Sequence, residues 1–528
     1  MRGVESFHGG RLSLRLEGAR GKGGEDKRYF YCPETRVLCS VIGYISNLST
    51  IASSRSIAGS CDAEIACRLY QANGMSFTGE LDGIFLVCIF DETAEKAYVF
   101  QSRSGFDLPV YYTRGEEAFL LSTSLRMLLR HSTMARELDL VAARDFLHWH
   151  ALVPNRSTLL KGVSKLMPAT FLVVDCRDRS VAVNECPPGD CPHLSRSEAR
   201  RRLIPAIEEC VEQAVGQLGE RRIALTLTSG WDTNLLLHLL RRVTDKAIDA
   251  VTIDGGGARS EVASVRLILE KYKGVRHVTR EVSKELNHFA DLVWRFEGAV
   301  FNEGMSLRYE LGNVLREENI DCVIVGSGAD QVLWPQGSTR RALRTMRNAA
   351  RRISGRESPE GGTRRNIGRG YGIALEDILL ELNLKMHGIA LNSFGVQCLY
   401  PFVDARIMQL GRALGFFHNW RKRAYVEEVK RALPPDVSGR LKKSGHVVDT
   451  PAIFAANRER LIGALKSELA GKLLSPSQVG RVAARPDEHH LLIMQLAYLK
   501  TFNDLFISGD YDSHFGDERL DAPLAEFL

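Results

Sequence analysis

Seven consecutive residues, Thr228-Ser229-Gly230-Trp231-Asp232-Thr233-Asn234, join small side chains, hydroxyls and one carboxylate directly after the apolar run Ile223–Leu227. Helical patterning with Leu235-Leu236-Leu237 follows at once. A strand that turns through small residues into a helix can cradle phosphates, because its backbone N–H groups and the helix N-terminus supply positive potential. The backbone of Thr228, Ser229, Gly230 and Trp231 and the hydroxyls of Ser229 and Thr233 are therefore candidates for pyrophosphate. Asp232 is a candidate Mg²⁺ ligand, since hard cations prefer oxygen. The alternative for such an aspartate is helix capping. No Gly-x-x-x-x-Gly-Lys-Ser/Thr sequence is present, which excludes a Walker-type site. Gly255-Gly256-Gly257 lacks dinucleotide-fingerprint spacing and reads as a βα loop. Cys186 and Cys191 have only His193 nearby, so that segment reads as a Pro-rich linker rather than a zinc site.

Elements able to hold such a loop at a sheet edge follow from the patterning. Strands alternate with helices from 221 to 326: strands at 221–228, 248–253, 275–279 and 321–326, helices at 233–243, 259–272 and within 283–317. That alternation implies parallel strands in a doubly wound α/β sheet. The first third differs. Short segments rich in Val, Phe, Tyr and Ile at 36–41, 81–90, 96–101, 109–113 and 117–122 predict antiparallel sheets in a sandwich, with helices at 122–131 and 139–150. Pro187, Pro188, Gly189, Asp190 and Pro192 mark a composition break over 176–197, where the domain boundary is expected. Beyond 370 the pattern is mostly helical.

At 528 residues, two large domains are expected. A net charge of +6 is too small for a general nucleic-acid footprint. The apolar runs are strand-length and no secretory h-region opens the chain, so a cytoplasmic protein off the membrane is expected. Eleven scattered cysteines argue against a disulfide framework. Ten arginines between Arg340 and Arg369, against Glu357 and Glu360, read either as a solvated insertion or as a clamp for an acidic partner.

The loop at 228–234 resembles the Ser-Gly-Gly-x-Asp-Ser-Ser loop of the ATP pyrophosphatase superfamily, with Thr for the first Ser, Ser for the first Gly and Asn for the last Ser. Val325-Gly326-Ser327-Gly328-Ala329-Asp330 resembles the Ser-Gly-x-Gly-Ala-Asp segment of asparagine synthetases, and Pro401-Phe402-Val403-Asp404 their Pro-Phe-Leu-Asp. Arg440-Leu441-Lys442-Lys443-Ser444-Gly445 resembles the late Arg-x-Lys-x-Gly segment. Gly83-Ile84-Phe85 with Phe90-Asp91, Pro109-Val110-Tyr111-Tyr112 and Leu121–Leu125 resemble the N-terminal domain of that family. The resemblance implies an inactive glutaminase-like (Ntn-type) β-sandwich over 1–190 and an ATP-binding, adenylating domain over 195–528. It implies ATP and Mg²⁺ as cofactors and nucleotide contacts from Gly326, Ser327 and Gly328. Asp330 joins Asp232 at the metal, and Lys443, or Lys442 by strict spacing, stabilises charge on the adenylate. Glu261 matches an acid of the family; helix capping is its alternative.

The departures narrow the expectation. These synthetases carry Cys after the initiator Met, whereas Arg2 stands here and Cys32 and Cys39 are internal, so glutaminase chemistry is expected to be absent. Ser327 replaces the acid or the β-lactam formers' Tyr, and Gln397 and Leu399 replace Glu-x-Arg, so a Tyr–Glu base is missing. The chain therefore resembles lasso-peptide cyclases. These adenylate an Asp or Glu side chain of a precursor peptide for attack by the peptide's N-terminal amine. That implies a core-peptide substrate, a leader-recognition protein and a leader peptidase as partners. The alternatives are amine- or ammonia-dependent amidation of a small acid and a nucleotide- or peptide-binding scaffold.

Overall fold

Gly83–Asp91 reads Gly-Ile-Phe-Leu-Val-Cys-Ile-Phe-Asp, and successive side chains of a strand face opposite sides. In the computed structural model both faces of this strand are covered. Phe85, Val87 and Ile89 enter one buried cluster, and Ile84 and Leu86 enter another. The structure describes residues 28–510 and 514 with side chains, apart from 116–117, 131–133, 148–152, 154–155, 187–193, 257–259, 299–303, 334–381, 416–417, 420–421 and 442–447. Backbone alone is described for 2–9, 12–19, 148 and 375–381.

Sixteen strands are described, in four sheets. β1 (Arg2–Gly9) and β2 (Leu12–Ala19) pair as an antiparallel hairpin. β3 (Tyr29–Cys32), β4 (Val37–Ile45), β5 (Gly83–Asp91), β6 (Lys96–Gln101), β10 (Thr170–Asp175) and β11 (Val181–Glu185) form an antiparallel sheet in the order β11-β10-β6-β5-β4-β3. β7 (Tyr111–Arg114), β8 (Phe119–Ser122) and β9 (Ser164–Lys165) form a smaller one. One face of the six-stranded sheet packs on Ala63, Ala66, Cys67 and Leu69 of the helix Asp62–Asn73. Ile84 and Leu86 of the other face share a cluster with Tyr111 and Tyr112 of β7. The expected antiparallel sandwich is present, with helices covering its outer face. β11 lies inside the composition break expected at 176–197, because its polar, half-exposed edge sequence hides a strand.

The parallel sheet follows the alternation of the sequence. β12 (Ile223–Thr226), β13 (Ile248–Asp254), β14 (Val275–Glu281), β15 (Cys322–Ile324) and β16 (Gln397–Leu399) run in the order β14-β13-β12-β15-β16, and every pairing is parallel. Ile223, Ala224, Leu225, Val323 and Ile324 are buried, as continuous apolar strands covered on both faces require. The helix Arg196–Leu218, which the patterning passed over, packs beside it. Its start is legible in retrospect: Ser195 caps it by accepting from the Glu198 N–H. Among the described residues, no helix is long and apolar enough to cross a membrane.

The antiparallel sheets grip the segment that follows β16. Asp82 accepts a hydrogen bond from the Ala405 N–H at 2.9 Å, and the Tyr400 N–H donates to the Tyr44 hydroxyl at 3.3 Å. The Tyr400 hydroxyl donates to the half-buried Asp107 carboxyl, also at 3.3 Å. Burial pushes Asp107 up to about 7, against the opposing hydrogen bond from Tyr400. Burial and the neighbouring Asp404 push Asp82 up to about 7 as well. A carboxyl raised in the fold favours folding at pH values below its unfolded range, and this contribution is lost as pH rises through the folded value. Asp107→Asn should therefore flatten the dependence of stability on pH between about 4 and about 7 relative to the unchanged chain. Denaturant melts across that window measure the difference. Parallel curves for the two proteins would contradict a neutral Asp107.

Candidate active site

β12 delivers the chain into Leu227-Thr228-Ser229-Gly230, and the helix Trp231–Val243 starts with Gly230 as its cap residue. The loop is held by its own side chains. The Thr228 N–H donates to the Thr233 hydroxyl at 3.2 Å, and the Gly230 N–H to the Thr228 hydroxyl at 3.1 Å. Asn234, fully buried, donates from Nδ2 to the carbonyls of Thr228 and Gly230 at 2.8 and 2.7 Å. Thr233, whose hydroxyl was a phosphate candidate, and Asn234, the last residue of the candidate nucleotide loop, thus turn their side chains into the loop and shape it. Ser229, itself buried, turns to Glu261, which accepts from its N–H at 3.3 Å and its hydroxyl at 3.2 Å. Glu261 stands at the N-terminus of the helix Val262–Leu269. It couples that helix to the phosphate loop, a role broader than capping.

The second loop leaves β15 and crosses the first. A Cβ on Gly326 would lie 2.8 Å from Thr233 Cγ2, so only glycine permits this approach. Gly328 has φ +91°, a left-handed conformation that glycine adopts without a steric cost. Asp330 follows in the first turn of the short helix Ala329–Leu333. Ser327 between the glycines lies 3.2 Å from His387 of the helix Leu375–Ser393.

Asp232 and Asp330 meet on one cation. Lys422 Nζ lies 2.8 and 2.9 Å from the two oxygens of Asp232 and 2.8 Å from Asp330. Its side chain is 10% exposed, enough to desolvate the ammonium. Burial works to lower its pKa, but the two carboxylates outweigh this and hold it above the ordinary lysine value. Neither aspartate is a simple helix cap. Lys422 itself adopts φ +61°, a conformation that non-glycine residues rarely take, which aims it back at the pair. Burial raises the Tyr425 hydroxyl well above its usual range, with Asp232 adding to the shift. Lys422 escaped the sequence reading because no local pattern marks it; only the tertiary fold brings it to residues so distant in the chain.

Two carboxylates converging on one cation, with phosphate oxygens to complete the shell, suit Mg²⁺. The described residues hold no cluster of three or more metal-ligating side chains, so a metal here needs the substrate's oxygens as well. Trp231 is covered by Lys430, whose Nζ lies 5.5 Å from the ring centroid. Gln397 accepts from Arg221 at 3.1 Å at the amino end of β16, and Leu399 is fully buried. Neither takes part in this site. Lys442, Lys443, Cys191, His193, Gly257 and the arginines from 340 to 369 lie outside the described residues.

A family model of the glutamine amidotransferase domain matches residues 44–183, and the asparagine synthase model matches residues 206–502. The chain belongs to the asparagine synthase family. Amidase chry2 of Gibberella zeae is 23% identical over 296 residues, covering 52% of this chain and 43% of that protein. Amidase chyE of Penicillium rubens is 24% identical over 309 residues, with 53% and 44% covered. A putative glutamine-hydrolysing asparagine synthetase 2 of Methanocaldococcus jannaschii is 20% identical over 277 residues, with 51% and 53% covered. The chain thus spans about half the length of the curated relatives it matches.

Replacing Lys422 leaves two carboxylates facing each other without their counter-charge. Lys422→Met should lower stability by roughly 2 kcal/mol, the scale of lost charge-assisted hydrogen bonds. Millimolar Mg²⁺ should raise the melting temperature of the variant more than that of the unchanged chain. Equal shifts in both proteins would refute the shared-cation geometry.

Proposed function

We propose that the chain is an AMP-forming carbon–nitrogen ligase that closes a macrolactam in a precursor peptide. It would adenylate an Asp or Glu side chain, which the peptide's N-terminal amine then attacks, as in lasso-peptide cyclases. The observation that carries this reading is the convergence of the phosphate loop, Asp232, Asp330 and Lys422 at the carboxyl ends of a parallel sheet. Ligands of open α/β sheets bind at this edge.

In this reading the backbone from Thr228 to Trp231 and the Ser229 hydroxyl hold the β- and γ-phosphates of ATP. Asp232 and Asp330 would hold Mg²⁺, which supplies charge neutralisation for the polyphosphate when bound. Lys422 adds a permanently charged donor beside them. A carboxylate attacks the α-phosphorus, pyrophosphate leaves, and the acyl-adenylate is consumed by an amine held close to it. Proximity replaces strong activation in the second step. Lys443 or Lys442 stabilises the charge that develops on the adenylate.

Residues 1–190 form the glutaminase-like domain and 195–528 the adenylating domain in this proposal, with the first serving structure rather than glutamine hydrolysis. Thiol chemistry supports that division. Burial pushes Cys39 well above the ordinary thiol value, and Cys67 and Cys88 up to about 12, far from an activated nucleophile. The amine then comes from the substrate itself. A leader-recognition protein and a leader peptidase would deliver the core peptide.

The test is incubation with Mg-ATP and linear peptides that carry a free N-terminus and one Asp or Glu, read by mass spectrometry. AMP with a peptide lighter by one water is expected. AMP with free Asp or Glu and ammonium alone would replace this reading with a small-acid amide synthetase. Absence of AMP under every condition, with nucleotide binding intact, would leave a binding scaffold.

A further inference from the structure

We propose that His387 is the general base that takes the proton from the attacking amine, an inference that rests on the amide-forming reading above. The Tyr–Glu arrangement is absent from this chain, yet a titratable ring stands at the same loop. His387 Nδ1 lies 3.1 Å from the Asn383 carbonyl one turn earlier in its helix. A carbonyl only accepts, so Nδ1 carries the hydrogen and the lone pair is on Nε2. The Ser327 hydroxyl lies against the same ring, 3.2 Å from Nδ1 and 3.4 Å from Nε2. The tautomer is therefore set by the helix backbone, which leaves Nε2 as the basic nitrogen.

Position supports the assignment. Ser327 sits between Gly326, which packs on Thr233 and Asp232, and Gly328, which leads to Asp330. His387 consequently adjoins the phosphate loop on the flank opposite Glu261. Both Ser327 and His387 are half-buried, which leaves a substrate able to reach them. Their setting is firm: Leu384, Met386 and Ala390 of the same helix are buried. The neighbouring groups are poorly suited to accept a proton. Lys422 is held charged by its two carboxylates, and burial holds the Tyr425 and Tyr400 hydroxyls protonated. Glu261 is occupied by Ser229, and carboxylates are weak bases for an amine. An imidazole is the side chain that most often serves as a general base.

The step balances. The amine nitrogen forms a bond to the acyl carbon while the bond from that carbon to the bridging oxygen breaks, and AMP leaves with the electron pair. One amine proton passes to Nε2, giving an imidazolium that later releases it to water.

The experiment separates the two half-reactions. A linear peptide with a free N-terminus reports macrolactam formation. The same peptide acetylated at its N-terminus, with hydroxylamine added, reports the adenylate as a hydroxamate. Hydroxylamine is a nucleophile weakly basic enough to need no enzymic base. His387→Ala and His387→Gln should lower the ratio of macrolactam to hydroxamate about 100-fold, the scale of one general base. Added imidazole should restore part of the loss in the alanine variant. An unchanged ratio, with both products falling together, would reduce His387 to a loop support and overturn the proposal. If the unchanged chain makes neither product, the ligase reading itself fails and this inference falls with it. Hydroxamate without macrolactam in the variants alone keeps the two cases apart.

Discussion

A single buried ammonium ties the site together. Lys422 joins the helix after β12, the helix after β15 and the chain entering the helix Arg423–Ala432, elements far apart in sequence. Removed from the others, each group would be unfavourable: a lysine in low dielectric tends to lose its proton, and two neighbouring carboxylates repel. Together they satisfy one another, and the left-handed backbone at Lys422 persists because the trio overdetermines it. The arrangement leaves one negative charge in excess. A divalent cation reverses that sign, which is what a polyphosphate requires.

The phosphate loop illustrates how a degenerate pattern can still build the expected turn. Asn234 stands where the superfamily has a serine, and its amide reaches two loop carbonyls that a serine hydroxyl could not bridge together. Ser229 replaces a glycine, and its buried hydroxyl donates to Glu261. Both departures therefore add hydrogen bonds that hold the loop rather than removing its support. A preorganised anion cradle needs this rigidity, because donors that must first be ordered contribute less to binding.

Legibility followed the range of the interactions. β12, β13 and the loop that opens after them were readable because apolar strand, small turn and amphipathic helix are adjacent in sequence. Asp232 and Asp330 were readable as strand-end carboxylates, and their meeting at one cation followed from the parallel order of β12 and β15. Lys422 was not readable, since nothing within ten residues distinguishes it from a surface lysine. His387 was hidden differently, inside a helix of ordinary apolar composition, where only the fold brings it against the Ser327 loop. The helix Arg196–Leu218 has a readable cap in Ser195, but its start adjoins the Pro-rich break, whose composition reads as loop. β16 is as short as β15 but begins on Gln397, so it lacks the continuous apolar run Cys322–Val325 that makes β15 readable.

The retention of a glutaminase-like portion in a chain proposed to need no glutamine has a physical explanation. Asp82, Tyr44 and Asp107 hold the backbone and side chains from Tyr400 to Ala405, and that segment continues directly from β16, the edge of the parallel sheet. Phe402 and Asp404 are buried there, and Asp404 caps the helix Ala405–Leu414 by accepting from the Arg406 N–H. That helix packs against the short helix carrying Asp330: a Cβ on Gly411 would lie 2.3 Å from the Val332 carbonyl. The antiparallel sheets thus support Asp330 and its pairing with Lys422 through one continuous stack. Removing them would expose two raised carboxyls and an unsupported sheet edge, so the parallel-sheet half depends mechanically on the antiparallel one.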